Sequence, residues 1–394
     1  MPDLLIEKNI RHLEIILKIS ERCNINCDYC YVFNKGNSAA DDSPARLSNK
    51  NIHHLVCFLQ RACQEYKIGT VQIDFHGGEP LLMKKENFTN MCIQLTSGNY
   101  CGSNIRLALQ TNATLIDNEW IAIFEKYSVN VSISIDGPKH INDRHRLDTK
   151  GRSTYEATVR GLRILQHAYQ QGRLPSDPGI LCVANAQANG AEIYRHFVDE
   201  LGVYSFDFLI PDDSYKDAHS DAVGIGRFLN EALDEWVKDN NAKIFVRLFQ
   251  THIASLLGQK NSGVLGHTPN ITGVYALTVS SDGFVRVDDT LRSTSDKMFN
   301  PIGHLSEVNL SNVFASPQFQ EYSSIGQSLP TECEGCIWEN ICAGGRIVNR
   351  FSTEDRFKRK SIYCYSMRTF LSRSSAHLLN MGIEEERIMT SIRA

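Results

Sequence analysis

The chain has 394 residues, 42% of them hydrophobic and 22% charged, with a formal net charge of −4. That length can bury a large core, and the slightly acidic balance argues against a general nucleic-acid binder. No apolar run approaches the ~20 residues that cross a bilayer, and the N-terminus lacks the apolar segment of a signal peptide, so the expected location is cytoplasmic and off the membrane.

In chain order, strands are expected at 14–19, 70–75, 105–111, 129–135, 179–184 and 205–210, with amphipathic helices at 51–66, 85–97, 117–127, 155–169 and 190–201. Alternation of this kind implies an α/β fold with parallel strands and outer helical crossovers. Six such units suit a partial (β/α)6 TIM-like barrel with its chemistry on loops at the strand C-terminal ends. Beyond Pro211 the pattern changes: two long helices over 225–258, then a hairpin at "VYALTVSSDGFVRVDDT" with an Asp-Gly turn. A cysteine-rich stretch of little regular pattern follows over 330–364, and a helical tail closes the chain. The expected domains are a barrel over 1–212, a helical connector over 213–270, and a cysteine-rich cluster domain with its helix over 271–394.

Twelve cysteines in a reducing compartment point to metal rather than to disulfides. "ISERCNINCDYCYVF" sets Cys23, Cys27 and Cys30 at C-x3-C-x2-C spacing directly after the first strand. Three thiolates can hold three irons of a 4Fe–4S cube and leave the fourth open; a zinc or buried-thiol site is the alternative. Three later strand ends carry candidate partners. "IDFHGGEPLL" offers Gly77, Gly78 and Glu79; "QTNATLI" offers Thr111 and Asn112; "VSISIDGP" offers Ser132, Ser134 and Asp136. Each alone reads as a turn or cap. Together, at consecutive strand ends, they outline one site.

The second group, Cys333, Cys336, Cys342 and Cys364, has C-x2-C-x5-C-x21-C spacing and could close a full cage around zinc or an iron–sulfur cluster. Cys57, Cys63, Cys92, Cys101 and Cys182 are expected to pack as small buried hydrophobes.

With these motifs the sequence resembles the radical S-adenosylmethionine (SAM) enzymes. The resemblance implies that the open iron takes SAM, that Gly77, Gly78 and Glu79 hold its amino group, and that Asn112, Ser134 and Asp136 lie among its contacts. Arg144 or Arg146 would pair with the SAM carboxylate. The second group resembles the SPASM extension of peptide-modifying members. Here Asp288 and Arg346 stand where two of the extension's cysteines belong, which implies one auxiliary 4Fe–4S cluster. The segments "VDDTLR" and "CAGGRIVNRFS" make the cyclophane-forming peptide maturases the nearest group. That implies a ribosomal precursor peptide, an external reductant of flavodoxin or ferredoxin type, and a crosslink from an aromatic carbon to a β-carbon. Asp289, then Asp288, is the candidate base, with a pKa raised by a dry pocket; the alternative is a turn cap. With about a dozen residues ahead of the first strand, an added N-terminal recognition domain is not expected. The rival readings are an anaerobic sulfatase-maturating, formylglycine-forming enzyme and a zinc-stabilised binding module without catalysis.

Overall fold

A computed structural model of the chain describes residues 9–36, 38–217, 220–259 and 273–393. Its strands are β1 (Asn9–Ser20), β2 (Ile25–Cys27), β3 (Lys67–Gly77), β4 (Asn104–Thr111), β5 (Asn130–Ser134), β6 (Arg146–Asp148), β7 (Gly179–Val183), β8 (Ser205–Leu209), β9 (Phe245–Val246), β10 (Val274–Val279), β11 (Phe284–Arg286) and β12 (Gly303–His304). Helices Asn49–Glu65, Lys85–Thr96, Asn118–Lys126, Tyr155–Gln170 and Gly190–Arg195 fall between the long strands, as the alternation required. The architecture is the expected partial (β/α)6 barrel with a cysteine-rich C-terminal segment. It divides into two compact units, one of Met1–Ser134, His145–Pro178 and Thr272–Ser323, the other of Ile135–Arg144, Gly179–Ile271 and Ser324–Ala394.

In the first unit the strand order is β12-β11-β10-β1-β3-β4-β5. β1 pairs in parallel with both β3 and β10, and β3, β4 and β5 continue in parallel. β1 starts five residues ahead of its expected place, at Asn9. Arg11 and His12 break the local pattern, but His12 is aligned with Thr70 on one side and Val274 on the other, so pairing overrides propensity. The hairpin of β10 and β11 is antiparallel and turns at Gly283, whose φ is 84°. β2 and β6 form a separate two-stranded sheet that local pattern did not reveal, with Cys27 opposite Arg146.

Leu13, Ile15, Leu17 and Ile19 are buried along one face of β1. Helix Asn49–Glu65 meets the sheet with Ile52, Leu55, Val56, Leu59 and Cys63, spaced three and four apart, and starts at Ser48, whose side chain accepts from the Asn51 N–H. Phe88 is the centre of an aromatic cluster, 4.9 Å from Phe75 and 5.2 Å from Trp120 between ring centroids. Cys63, Cys92 and Cys182 are buried as expected, but Cys57 is only partly covered and Cys101 is exposed. Cys101 lies at φ 54°, in a turn ahead of Gly102 that turns its side chain out.

In the second unit β7, β8 and β9 are parallel. Helices Ala222–Asp239 and Arg247–Leu256 occupy the stretch read as two helices. Phe208 contacts Phe228 and Phe249, and Phe249 reaches Phe370 of helix Cys364–Asn380. Among the described residues no helix is long and apolar enough to cross a membrane.

Candidate active site and cluster sites

The three-cysteine loop leaves the C-terminal end of β1. Cys27 is buried and Cys23 and Cys30 are partly exposed. The loop is held from inside: Asn34 N–H donates to the Cys30 carbonyl at 2.8 Å and its side chain donates to the Cys27 carbonyl at 2.6 Å. Burial, with Glu79 and the other two thiols adding to it, pushes the Cys23 thiol up to about 12. Three mutually opposing sulfurs of this kind become thiolates when a multivalent cation offsets their charge, so the donor set fits an iron–sulfur cluster.

Gly77 and Gly78 end β3 against this loop. A Cβ on Gly77, whose φ is 137°, would lie 2.0 Å from the Ser20 carbonyl oxygen, and one on Gly78 would lie 2.4 Å from that of Arg22. Both positions are therefore glycine because the cysteine loop's own backbone lies against them. Gly78 N–H donates to Ser20 at 2.7 Å and Glu79 N–H to Arg22 at 2.8 Å.

Glu79 is buried and its carboxylate accepts from Leu81 N–H, Asn112 N–H and the Thr111 hydroxyl, at 3.0, 2.8 and 2.6 Å. Burial raises its pKa, while those donors and Arg146 work against the rise. Asn112 bridges onward, its amide donating to Asn24 in the cysteine loop at 2.8 Å. Arg146 donates to the Tyr29 hydroxyl at 2.7 Å, which ties β6 to the same loop. Ser134 accepts from Gln110 at 2.7 Å. The first unit therefore gathers Glu79, Asn112 and Arg146 around the three cysteines. Asp136 falls in the second unit, buried, with Oδ1 accepting from Val183 N–H at 3.1 Å.

The two aspartates after β11 part company. Asp288 caps the following turn through Thr290, with Oδ1 accepting from its N–H at 2.9 Å and its hydroxyl at 2.8 Å, which is the turn-cap reading. Asp289 is turned inward and buried, and its Oδ2 accepts from Lys18 Nζ and the Tyr31 hydroxyl. Burial alone would raise its pKa, but Lys18 and the hydrogen bonds hold it well below the usual carboxylate range. The expectation of a raised pKa is therefore wrong in direction: a buried counterion outweighs desolvation. A second buried pair, Arg292 with Glu21 at 3.3 Å, lies in the same unit.

Lys18, His76 and Tyr31 belong to no ligand-spacing motif of the sequence. One signal was available: Lys18 interrupts the apolar run "EIILKIS", and a lysine there needs a buried anion.

In the second unit Cys333, Cys336, Cys342 and Cys364 line one cavity together with Trp338, Gly344 and Ser361. Four sulfurs ringing a cavity suit a polynuclear cluster, and burial plus the neighbouring thiols pushes Cys342 up to about 12. Arg346, at the position of a missing SPASM cysteine, is anchored elsewhere. It donates to the Ile210 carbonyl at 2.7 Å and pairs with Asp212 at 2.6 Å.

With this geometry in view, the comparisons are specific. Residues 17–172 match the radical SAM superfamily, so the chain carries a radical SAM domain. A cysteine-type anaerobic sulfatase-maturating enzyme of Clostridium perfringens is 26% identical, covering 94% of this chain and 98% of the relative. A serine-type anaerobic sulfatase-maturating enzyme of Bacteroides thetaiotaomicron is 23% identical, over 84% of this chain and 81% of the relative. The solved structure of native anSMEcpe with bound AdoMet superposes with a TM-score of 0.78 at 25% identity, covering 94% of this chain and 98% of that one.

These matches overturn the cyclophane expectation, since the likeness over most of the chain is to anaerobic sulfatase-maturating enzymes. The "VDDTLR" segment that suggested crosslinking has a structural account: Asp288 caps, Asp289 meets Lys18 and Arg292 meets Glu21.

Proposed function

We propose that this protein is an anaerobic sulfatase-maturating type of radical SAM enzyme that oxidises a cysteine or serine side chain of a peptide to formylglycine. The likeness to two such enzymes, over 94% and 84% of this chain, carries the reading. Cys23, Cys27 and Cys30 would hold the SAM-binding 4Fe–4S cluster, and Cys333, Cys336, Cys342 and Cys364 one auxiliary cluster. Gly77, Gly78, Glu79, Asn112, Ser134 and Arg146, all of the first unit, are the proposed SAM-binding residues. Glu79 can serve because a carboxylate has about four acceptor sites and three are in use. When bound, these groups supply the 5′-deoxyadenosyl radical that takes a hydrogen atom and an acceptor for one electron.

Serine oxidation removes a hydrogen atom from Cβ, a proton from the hydroxyl and one electron, leaving the aldehyde. With cysteine the thioaldehyde then adds water and releases sulfide. The proton needs an acceptor, and Asp289 is the proposed base: an ionised carboxylate, buried from bulk water and fixed by two donors. Asp288, occupied as a cap, is not needed for it. The partners are a peptide substrate and an external one-electron reductant. A reducing, cytoplasmic setting agrees with a chain of twelve cysteines, seven of them proposed as cluster ligands.

The test is anaerobic incubation of the reconstituted holoenzyme with SAM, dithionite and peptides bearing cysteine or serine, followed by hydrazide capture. An aldehyde with matching 5′-deoxyadenosine supports the reading. Deoxyadenosine without aldehyde from either peptide overturns formylglycine formation, and absence of deoxyadenosine overturns the radical chemistry as well.

A further inference from the structure

Lys18 is fully buried on β1, a poor place for an ammonium. Its Nζ donates to Asp289 Oδ2, to His76 Nδ1 at 3.1 Å and to the Tyr31 hydroxyl at 3.2 Å. An ammonium has three N–H donors, so these acceptors engage all of them. His76 Nδ1 also accepts from Gly77 N–H at 2.8 Å, so that nitrogen carries no proton. Burial first, and Lys18 second, push the His76 pKa down to about 3, which keeps the ring neutral. Tyr31 donates to Asp289 as a neutral phenol. Arg292, on the turn that carries Asp289, faces Glu21, and Asp288 faces Thr290 and Tyr322. Among the described residues the cation that touches Asp289 is Lys18, brought from β1 across 271 residues of sequence.

We propose that Lys18 is a positioning residue for the reaction: it keeps Asp289 a carboxylate, aimed and able to take the substrate's proton. The inference rests on Asp289 acting as the base of the proposed function. A buried acid without a counterion takes up a proton, and a protonated Asp289 has no capacity to accept one. His76 supports the arrangement by staying neutral and accepting from Lys18, so that the ammonium is satisfied without competing for the charge of Asp289.

The test uses reconstituted holoenzyme with 13C-labelled aspartate and infrared spectroscopy, which needs no substrate. Lys18→Met at neutral pH is expected to show a protonated-carboxyl band absent from wild type and from the double variant K18M/D289N. In wild type the carboxylate signal assigned with Asp289→Asn is expected to persist through about pH 4, where an ordinary aspartate is half protonated. With a cysteine or serine peptide, K18M is expected to yield at least about tenfold less aldehyde per deoxyadenosine at neutral pH and to recover as pH rises. A purely structural lysine would lower the yield by the same factor at every pH. A K18M carboxyl spectrum like that of wild type, a parallel pH profile, or a wild-type Asp289 already half protonated at about pH 4 overturns the proposal. If K18M fails to fold, the wild-type titration still decides it. Wild type that makes no aldehyde sinks the formylglycine reading alone, since the infrared result stands apart.

Discussion

Replacing Gly78 by alanine would place a methyl carbon 2.4 Å from the Arg22 carbonyl oxygen, 2.6 Å from its carbon and 2.9 Å from Phe33 Cζ. Unstrained contacts lie at about 3.5 Å, so the Arg22 backbone must retreat by roughly 1 Å. That retreat lengthens two hydrogen bonds, Gly78 to Ser20 at 2.7 Å and Glu79 to Arg22 at 2.8 Å. Overpacking costs about 1–3 kcal/mol, and each buried donor left without a partner about 1–3 kcal/mol more. A total of about 3–9 kcal/mol is the penalty if the loop stays in place. The cheaper response is for the loop to move, and Cys23 moves with it. The assay is iron and sulfide content after anaerobic reconstitution, with electron paramagnetic resonance of the reduced protein. Wild type should hold about eight irons and Gly78→Ala about four, with deoxyadenosine production lost and the signal of the second cluster kept. A fully loaded variant that cleaves SAM at the wild-type rate would refute the claim that Gly78 is glycine to seat the cysteine loop.

Further outcomes follow from the same geometry. Cys342→Ser or Cys364→Ser should halve the iron from about eight to about four while deoxyadenosine formation persists and aldehyde is lost. Asp289→Asn leaves buried Lys18 without its anion and should cost about 3–5 kcal/mol at neutral pH in thermal unfolding. Burial works against the charged form of Asp289, but Lys18 and Tyr31 outweigh it, so the folded pKa lies below the unfolded one. Its stabilisation is therefore present above about pH 4 and lost as pH falls through the folded value, and the gap between wild type and variant should narrow there. Arg346→Ala removes a hydrogen bond to Ile210 and the pair with Asp212, and should lower stability by about 2 kcal/mol, read by urea unfolding of the second unit.

Local spacing was enough to determine the parts of this protein whose physics is local. The six long strands and five crossover helices were legible because apolar residues recur at periods of two and about 3.6, and the two cysteine groups because ligand spacing is a chain-distance property. The glycines at the end of β3 were legible as candidate site residues, but not the cysteine-loop backbone that lies against them. Tertiary structure alone decided the rest. β1 begins at Asn9 because β3 and β10 pair with it from both sides, a condition no local window contains. β10 reaches β1 only after some 250 residues of chain, about as far as Lys18 lies from Asp289, and that pairing sets the charge of the candidate base. Sequence identified Asp289 as an acid in a dry site and concluded that its pKa rises. Burial is readable from pattern, but a counterion carried on a distant strand is not, and at this site the counterion is the larger effect.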